Sequence, residues 1–196
     1  MAYTSFYSNE ELLEIGLKSV GKNVLISRKC SIYGAENISI SDHCRIDDFC
    51  ILSGNISIGS YVHIAAFCAL YGGGGIEIGD YSSLSPRCTI FSATDDFSGN
   101  YLMGPIIPSE YTNVKKGKVT LHKFVNVGAH CVIMPGVELE EGIAIGTMSL
   151  VRKSLKGAGG KGWTTYGCVN ILESIAPRSH EMEKLAEKLM SNQDFN

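Results

Sequence analysis

From Val20 to Ile145 the chain keeps a six-residue beat: an aliphatic residue, three mostly polar positions, then a small residue or valine. The starts run Val20, Ile26, Ile32, then Ile40, Ile46, Leu52, Ile58, Ile64 and Leu70. They resume at Ile78, Leu84 and Ile90, and again at Leu121, Val127, Ile133, Leu139 and Ile145. Every start is Ile, Leu or Val. A fixed period of this length signals a repeat architecture, and six residues point to a parallel β-helix. Three hexads make one triangular turn, with a short strand on each side and turns stacking roughly 4.8 Å apart. The first place should point inward. The fifth should be small because it sits near a corner, and glycines at the second place, as in Ile58-Gly59 and Val127-Gly128, should suit the turn backbone.

The beat decides how the 7 cysteines should be read. Cys30, Cys44, Cys50, Cys68, Cys88 and Cys131 all take the fifth place, which elsewhere holds Val24, Val62 and Val137. A residue that exchanges with valine at one geometric position behaves as a small buried hydrophobe. Only Cys168 lies off the pattern, with no cysteine partner at metal-ligand spacing. Thiols in this number fit a reducing compartment, and the protein is expected to be cytoplasmic. The net charge of −3 gives no reason to expect nucleic acid. No apolar run approaches the roughly 20 residues of a membrane span, so no membrane is expected either.

The chain divides into an N-terminal capping segment (1–19), a coil domain (20–155) and a C-terminal tail (156–196). Residues 8–16, SNEELLEIG, predict a short helix capped by Ser8 or Asn9 and stopped by Gly16, covering the first coil. A second helix is predicted at 179–190, after a Gly/Lys-rich stretch. Three interruptions break the beat. The slip at Ile38-Ser39 is minor. Gly72 to Gly75 predicts a flexible bulge; a phosphate cradle would need a following helix and lysine, which are missing. The third interruption, loop 96–118, carries Tyr101, Glu110 and Tyr111, and an insertion this long in a solenoid points to function.

With the hexads, the interruption and the block VTLHKFVNVGAHCVIMPGVELEEGIAIGTMSLVRKSL in view, the chain resembles the hexapeptide-repeat acyltransferases over roughly 20–175. The resemblance implies an all-β, left-handed parallel β-helix. It also implies acyl-CoA as cosubstrate, no metal, and a homotrimer with sites between subunits. Within the family, FYSNEELLEIG and DDFSGNYLMGP look most like N-acyltransferases of dTDP-linked amino deoxysugars, including the anthrose pathway. The maltose and galactoside O-acetyltransferases are the neighbouring alternative. A non-catalytic β-helix scaffold is an alternative of another class.

Those O-acetyltransferases place a histidine base in a run like T-A-T-H-P. Here the run is Ser92-Ala93-Thr94-Asp95-Asp96, so Asp95 takes the histidine's position. A hydroxyl acceptor needs a base matched to neutral pH, whereas a neutral amine is already nucleophilic and needs mainly orientation. Asp95 therefore favours an amine on a nucleotide-linked sugar. Ser85 is the second catalytic candidate, with Asp96, Glu110 and Tyr101 as candidate substrate contacts. Gly128, Ala129, Gly146 and Thr147 should let pantetheine approach turn backbone, and Arg152 and Lys153 stand where the family binds CoA phosphates. The family's closing G-x-P-A-[KR]-x-[IV] appears as Gly167-Cys168-Val169-Asn170-Ile171-Leu172-Glu173, without the proline, alanine or basic residue. His43, His63, His122 and His130 take outward hexad places and lack the five-residue spacing of β-helix zinc sites. His130 is kept as a substitute base for the O-acetyltransferase reading.

Overall fold

The computed structural model describes residues 5–157, the strands Trp163–Tyr166 and Glu173–Ala176, and helical Glu187 and Ser191. The helix expected at 179–190 lies outside the described residues apart from Glu187, and Cys168 lies outside them too. Within them the hexads wind into a left-handed parallel β-helix with a triangular cross-section. Equivalent strands pair coil upon coil in parallel register. Val20↔Ile40, Ile56↔Ile76 and Val119↔Ile76 build the first face. Ile26↔Ile46, Ile64↔Leu84 and Val127↔Leu84 build the second, and Leu52↔Leu70, Ile90↔Leu70 and Ile133↔Val151 the third.

The aliphatic starts fill the axis. From Ile40 to Ile145 each is buried; only Val20 and Ile32, in the first coil, are partly exposed. Burying an Ile or Leu side chain is worth about 1.5–3 kcal/mol, so this column is the main stabilising element. The first coil is closed by a helix at Asn9–Glu14, whose Leu12 enters the core. Ser8 and Glu11 form a reciprocal capping box, and Gly16 at φ 78° ends the segment. Glu11 also receives both Arg28 guanidinium nitrogens, at 2.7 and 2.6 Å, which ties the cap to the second hexad.

The expectation that second-place glycines serve the turn backbone needs correction. The left-handed backbone sits at the fourth hexad place and mostly on large residues: His43, Phe49, Tyr61, Phe67, Tyr81, Arg87, Phe124 and His130 all have φ near 60°. Each such residue costs roughly 1–2 kcal/mol. That cost is met by the coil below, since His43, Tyr61, Tyr81 and Phe124 donate their N–H to Lys22, Asp42, Ser60 and Asp80 carbonyls. The side chains add stacking: His43, Tyr61, Tyr81 and Phe124 form one continuous ring column at 4.7, 5.0 and 5.1 Å. Stacked pairs contribute roughly 0.5–1.5 kcal/mol each, which offsets much of the strain. Second-place glycines have another purpose. A Cβ on Gly128 would lie 2.6 Å from Thr147 N, and one on Gly79 would lie 2.7 Å from the His122 carbonyl carbon. They are glycines because the next coil occupies that space.

The six described cysteines carry thiols rather than disulfides, and all are buried. Burial pushes Cys30 up to about 12 and Cys44 up to about 11. They do more than replace valine. Cys44, Cys50, Cys68, Cys88 and Cys131 donate Sγ–H to the Gly59, Ala65, Ser85, Gly128 and Gly146 carbonyls of the adjoining coil. Ser82 does the same to His122 O at 2.9 Å.

The slip before Ile40 is a short 3-10 turn at Ala35–Asn37. The glycine run is not a loose bulge: the strand Ala69–Ile78 passes through it, and the register against Ile51–Ile58 shifts there. Beyond the coils, Trp163–Tyr166 extends the second face and pairs antiparallel with Glu173–Ala176, strands not expected from the sequence. Among the described residues no helix is long and apolar enough to cross a membrane.

Candidate active site

The hexad register places the candidates on two edges of the prism. Ser85, Gly128 and Gly146 are all second-place residues after strands of the second face, stacked at the edge that leads to the third. Asp95, loop 96–118, Arg152 and Lys153 lie at the edge where the third face gives way to the first. The third face separates the two edges, a span on the order of 16 Å for five extended residues.

At the serine edge the backbone is consumed by coil stacking. Ser85 N–H donates to Val127 O at 2.8 Å, and its carbonyl accepts from Cys68. Gly128 N–H donates to Ile145 O at 2.8 Å and its carbonyl accepts from Cys88. Gly128 therefore has no spare N–H, and its missing side chain admits Thr147 of the next coil. Ala129 O accepts from Met148 N, and Thr147 is exposed. Ser85 is half-buried, and among the described residues its Oγ has no hydrogen-bond partner.

The loop edge is built differently. Ser92, fully buried, anchors its root: Oγ donates to Tyr71 O at 2.7 Å and accepts from Gly74 N–H at 2.8 Å. Gly74 is needed there, since a Cβ would strike Ser92 O and lie 3.0 Å from Gly117 N. Ala93–Thr94 then pairs antiparallel with Lys115–Lys116, so the excursion leaves and returns as a two-stranded ladder. Asp95 follows, half-buried, and among the described residues its carboxylate has no hydrogen-bond or ion-pair partner.

Asp96 is committed within the chain instead of being presented to a substrate. It is 5 % exposed. One carboxylate oxygen accepts Ser98 N–H at 2.8 Å; the other accepts Asn113 Nδ2 at 2.6 Å and lies 3.4 Å from Lys115 Nζ. Chiefly through the Ser98 backbone N–H, with Asn113 and Lys115 helping, its pKa is lowered to about 2. No sequence signal singles out Asn113 or Lys115, and Ser92 enters only as part of the run before Asp95; the coil register and the loop's return path bring the three together. Farther out, Tyr101 is exposed, Leu102 bridges to Thr112, and Glu110 lies exposed in a short turn at Ser109–Tyr111. The loop also exposes large apolar side chains, Ile106 at 91 % and Phe97 at 78 %. Arg152 and Lys153 are exposed where the chain passes from Val151 toward Leu155.

His63 bonds Asp47 at 2.8 Å and His122 bonds Glu138 at 2.7 Å, both away from Asp95. Among the described residues no group of three or more His, Cys, Asp or Glu is arranged to hold a metal ion.

No family model matches the chain. It is 42 % identical over 180 residues to a dTDP-4-amino-4,6-dideoxy-D-glucose acyltransferase of Escherichia coli, covering 90 % of this chain and 89 % of that one. AntD, an N-acyltransferase from Bacillus cereus solved with dTDP and 3-hydroxybutyryl-CoA, superposes with a TM-score of 0.89 at 51 % identity. That match covers 98 % of this chain and 100 % of AntD. A hexapeptide-repeat acetyltransferase from Vibrio cholerae, VCA0836, shares the fold at a TM-score of 0.59 with 14 % identity, over 87 % of this chain and 76 % of that one. With identity of this extent along nearly the whole chain, the protein is a hexapeptide-repeat acyltransferase and belongs to the dTDP-4-amino-4,6-dideoxy-D-glucose acyltransferase family.

Proposed function

We propose that the protein transfers an acyl group from acyl-CoA to the amine of a dTDP-linked amino deoxysugar, in the cytoplasm. The observation that carries this reading is Asp95: a half-buried carboxylate, uncommitted among the described residues, at the root of the extruded loop. It stands where the O-acetyltransferases keep a histidine. A carboxylate suits an amine acceptor, because it can bind the ammonium form, take its proton and orient the neutral nitrogen. That nitrogen attacks the thioester carbonyl. The C–N bond forms, the C–S bond breaks, and the thiol of CoA departs with a proton. Ser85 Oγ or a backbone N–H supports the oxyanion. Solved structures of AntD carry substitutions at a serine and at an aspartate ten positions further on, and Ser85 and Asp95 have that same separation.

The active unit is proposed to be a homotrimer. Within one chain Ser85 and Asp95 sit on different edges, so no single sugar amine reaches both. Two copies related by a rotation can bring the serine edge of one to the loop edge of the next. The exposed Phe97 and Ile106 then gain a partner surface. Acyl-CoA would run between the copies, past Ala129, Gly146 and Thr147 of one and Arg152 and Lys153 of the other, with the cations at its phosphates. Tyr101 and Glu110, at the outer part of the loop, are left as sugar contacts.

The test is thiol release from acetyl-CoA and 3-hydroxybutyryl-CoA with dTDP-4-amino-4,6-dideoxyglucose, set against a simple galactoside. Turnover of the amino sugar alone is expected; turnover of the galactoside alone would sink the amine reading. Coexpressing Ser85→Ala with Asp95→Asn tests the shared site. If the residues come from different copies, random mixing restores about a quarter of the sites. If both come from one chain, mixing restores none.

A further inference from the structure

Resting on that reading, we propose that Asp96 is a positioning residue: with Asn113 and Lys115 it forms a clasp that holds Asp95 at the mouth of the loop and takes a competing carboxylate out of use. Asp95 is the single residue between two attachments that land on the same returning segment. Just before it, Thr94 pairs with Lys115 and Ala93 with Lys116. Just after it, Asp96 takes Asn113 and Lys115 side chains on one oxygen. The other oxygen accepts Ser98 N–H, which curls the chain back at once. The outgoing side is pinned further by Gly117 N–H on Ser92 O at 2.9 Å, and Ser92 is itself locked by Tyr71 and Gly74. A residue tied one position away on both sides has little backbone freedom. A catalytic group displaced by about 1 Å can lose on the order of 100-fold in rate.

The charge arrangement points the same way. Two adjacent aspartates facing a sugar ammonium would offer two binding modes, only one of them productive. Asp96, 5 % exposed and ion-paired to Lys115, offers no carboxylate to that cation. Asp95 keeps its own available. The loop is thus exposed over most of its length, yet its root holds a buried, fully engaged carboxylate. Solvation of a surface loop does not require one.

A double-mutant cycle tests this with the full-length enzyme, acyl-CoA and dTDP-4-amino-4,6-dideoxyglucose. Asp96→Ala is expected to lower kcat roughly 10- to 100-fold while leaving KM for acyl-CoA within about twofold. In an Asp95→Asn background the same change should cost less than about twofold, because the group it positions is already disabled. Asn113→Ala, on the other side of the clasp, should show a smaller loss with the same non-additivity, and it supplies the measurement if Asp96→Ala does not fold. Full additivity with Asp95→Asn would overturn the proposal. So would a raised KM for the amino sugar with kcat retained, which would make Asp96 a substrate contact. If Asp95→Asn itself leaves the rate unchanged, the reading of the active site fails, and the clasp's purpose fails with it.

Discussion

The two candidate edges of the prism are made from the same hexads, yet one is built by repetition and the other by exception. At the serine edge the four hexads that start at Ile46, Ile64, Leu84 and Val127 repeat one device: a second-place residue tied to the coil above, a left-handed fourth place, and a cysteine at the fifth place reaching the next carbonyl. At the loop edge, Ile51–Ile58 and Ala69–Ile78 run through without a tight turn, and the next coil leaves the lattice altogether. Repetition makes Ser85 rigid, because its neighbours are fixed above and below. Exception makes Asp95 available, because a residue outside the lattice can keep its carboxylate for a ligand. A solenoid that needs chemistry has to break its own pattern locally and then anchor the break.

The sharpest way to break this comparison is Asp95→Asn. We expect kcat to fall on the order of 100-fold or more, the range for losing a positioned acid–base group, with circular dichroism unchanged. A rate within about threefold of wild type, under roughly 0.7 kcal/mol of barrier, would remove Asp95 from the chemistry. Next comes a glycine contrast between the edges. Gly128→Ala forces a Cβ to within 2.6 Å of Thr147 N and is expected to destabilise by about 1–3 kcal/mol, seen as a lower midpoint in denaturant. Gly99→Ala in the loop meets nothing within 4 Å and carries only the strain of φ 85°, about 1 kcal/mol. Equal losses would mean that the loop is packed as tightly as the coils.

Acid should separate the edges as well. Asp96 is depressed to about 2, below its unfolded value near 3.9, so its contribution is complete above that unfolded value and is lost as pH falls toward 2. Loop-edge amides should lose hydrogen-exchange protection in that window before coil amides do, and Asp96→Asn should abolish the pH dependence of the loop. The smallest effect is expected for Cys68→Val. It removes one weak Sγ–H donor from Ser85 O at 3.2 Å and keeps the packing, so stability should change by less than about 1 kcal/mol. A larger loss would show that the thiol bonds, and not only thiol volume, hold the serine edge.

Much of this was legible along the chain because its physical cause is local or strictly periodic. The inward Ile, Leu and Val, the buried cysteines and the short capped helix after Ser8 all follow from spacing within a few residues. Asp95 and Ser85 became candidates through resemblance, as a departure from a known pattern and a neighbour on the preceding side of the coil. The left-handed fourth places were not. Phe49, Tyr61 and Phe67 have nothing intrinsic that favours positive φ, and the bonds and stacks that compensate them come from residues a full coil away. The task of the second-place glycines is invisible locally for the same reason, since the atoms that exclude a Cβ belong to the next coil.

The sequence by itself determined a six-residue solenoid, which positions enter its axis, and where the pattern is interrupted, because burial of every sixth residue is a one-dimensional property. Only the tertiary structure decided that Gly128 makes room for the chain's own next coil, that the loop returns as a ladder against Ala93–Thr94, and that Asp96 spends its charge on Asn113 and Lys115. Those outcomes depend on which coil lies against which and on the path by which the loop returns, contacts between residues far apart in the chain that no local periodicity encodes.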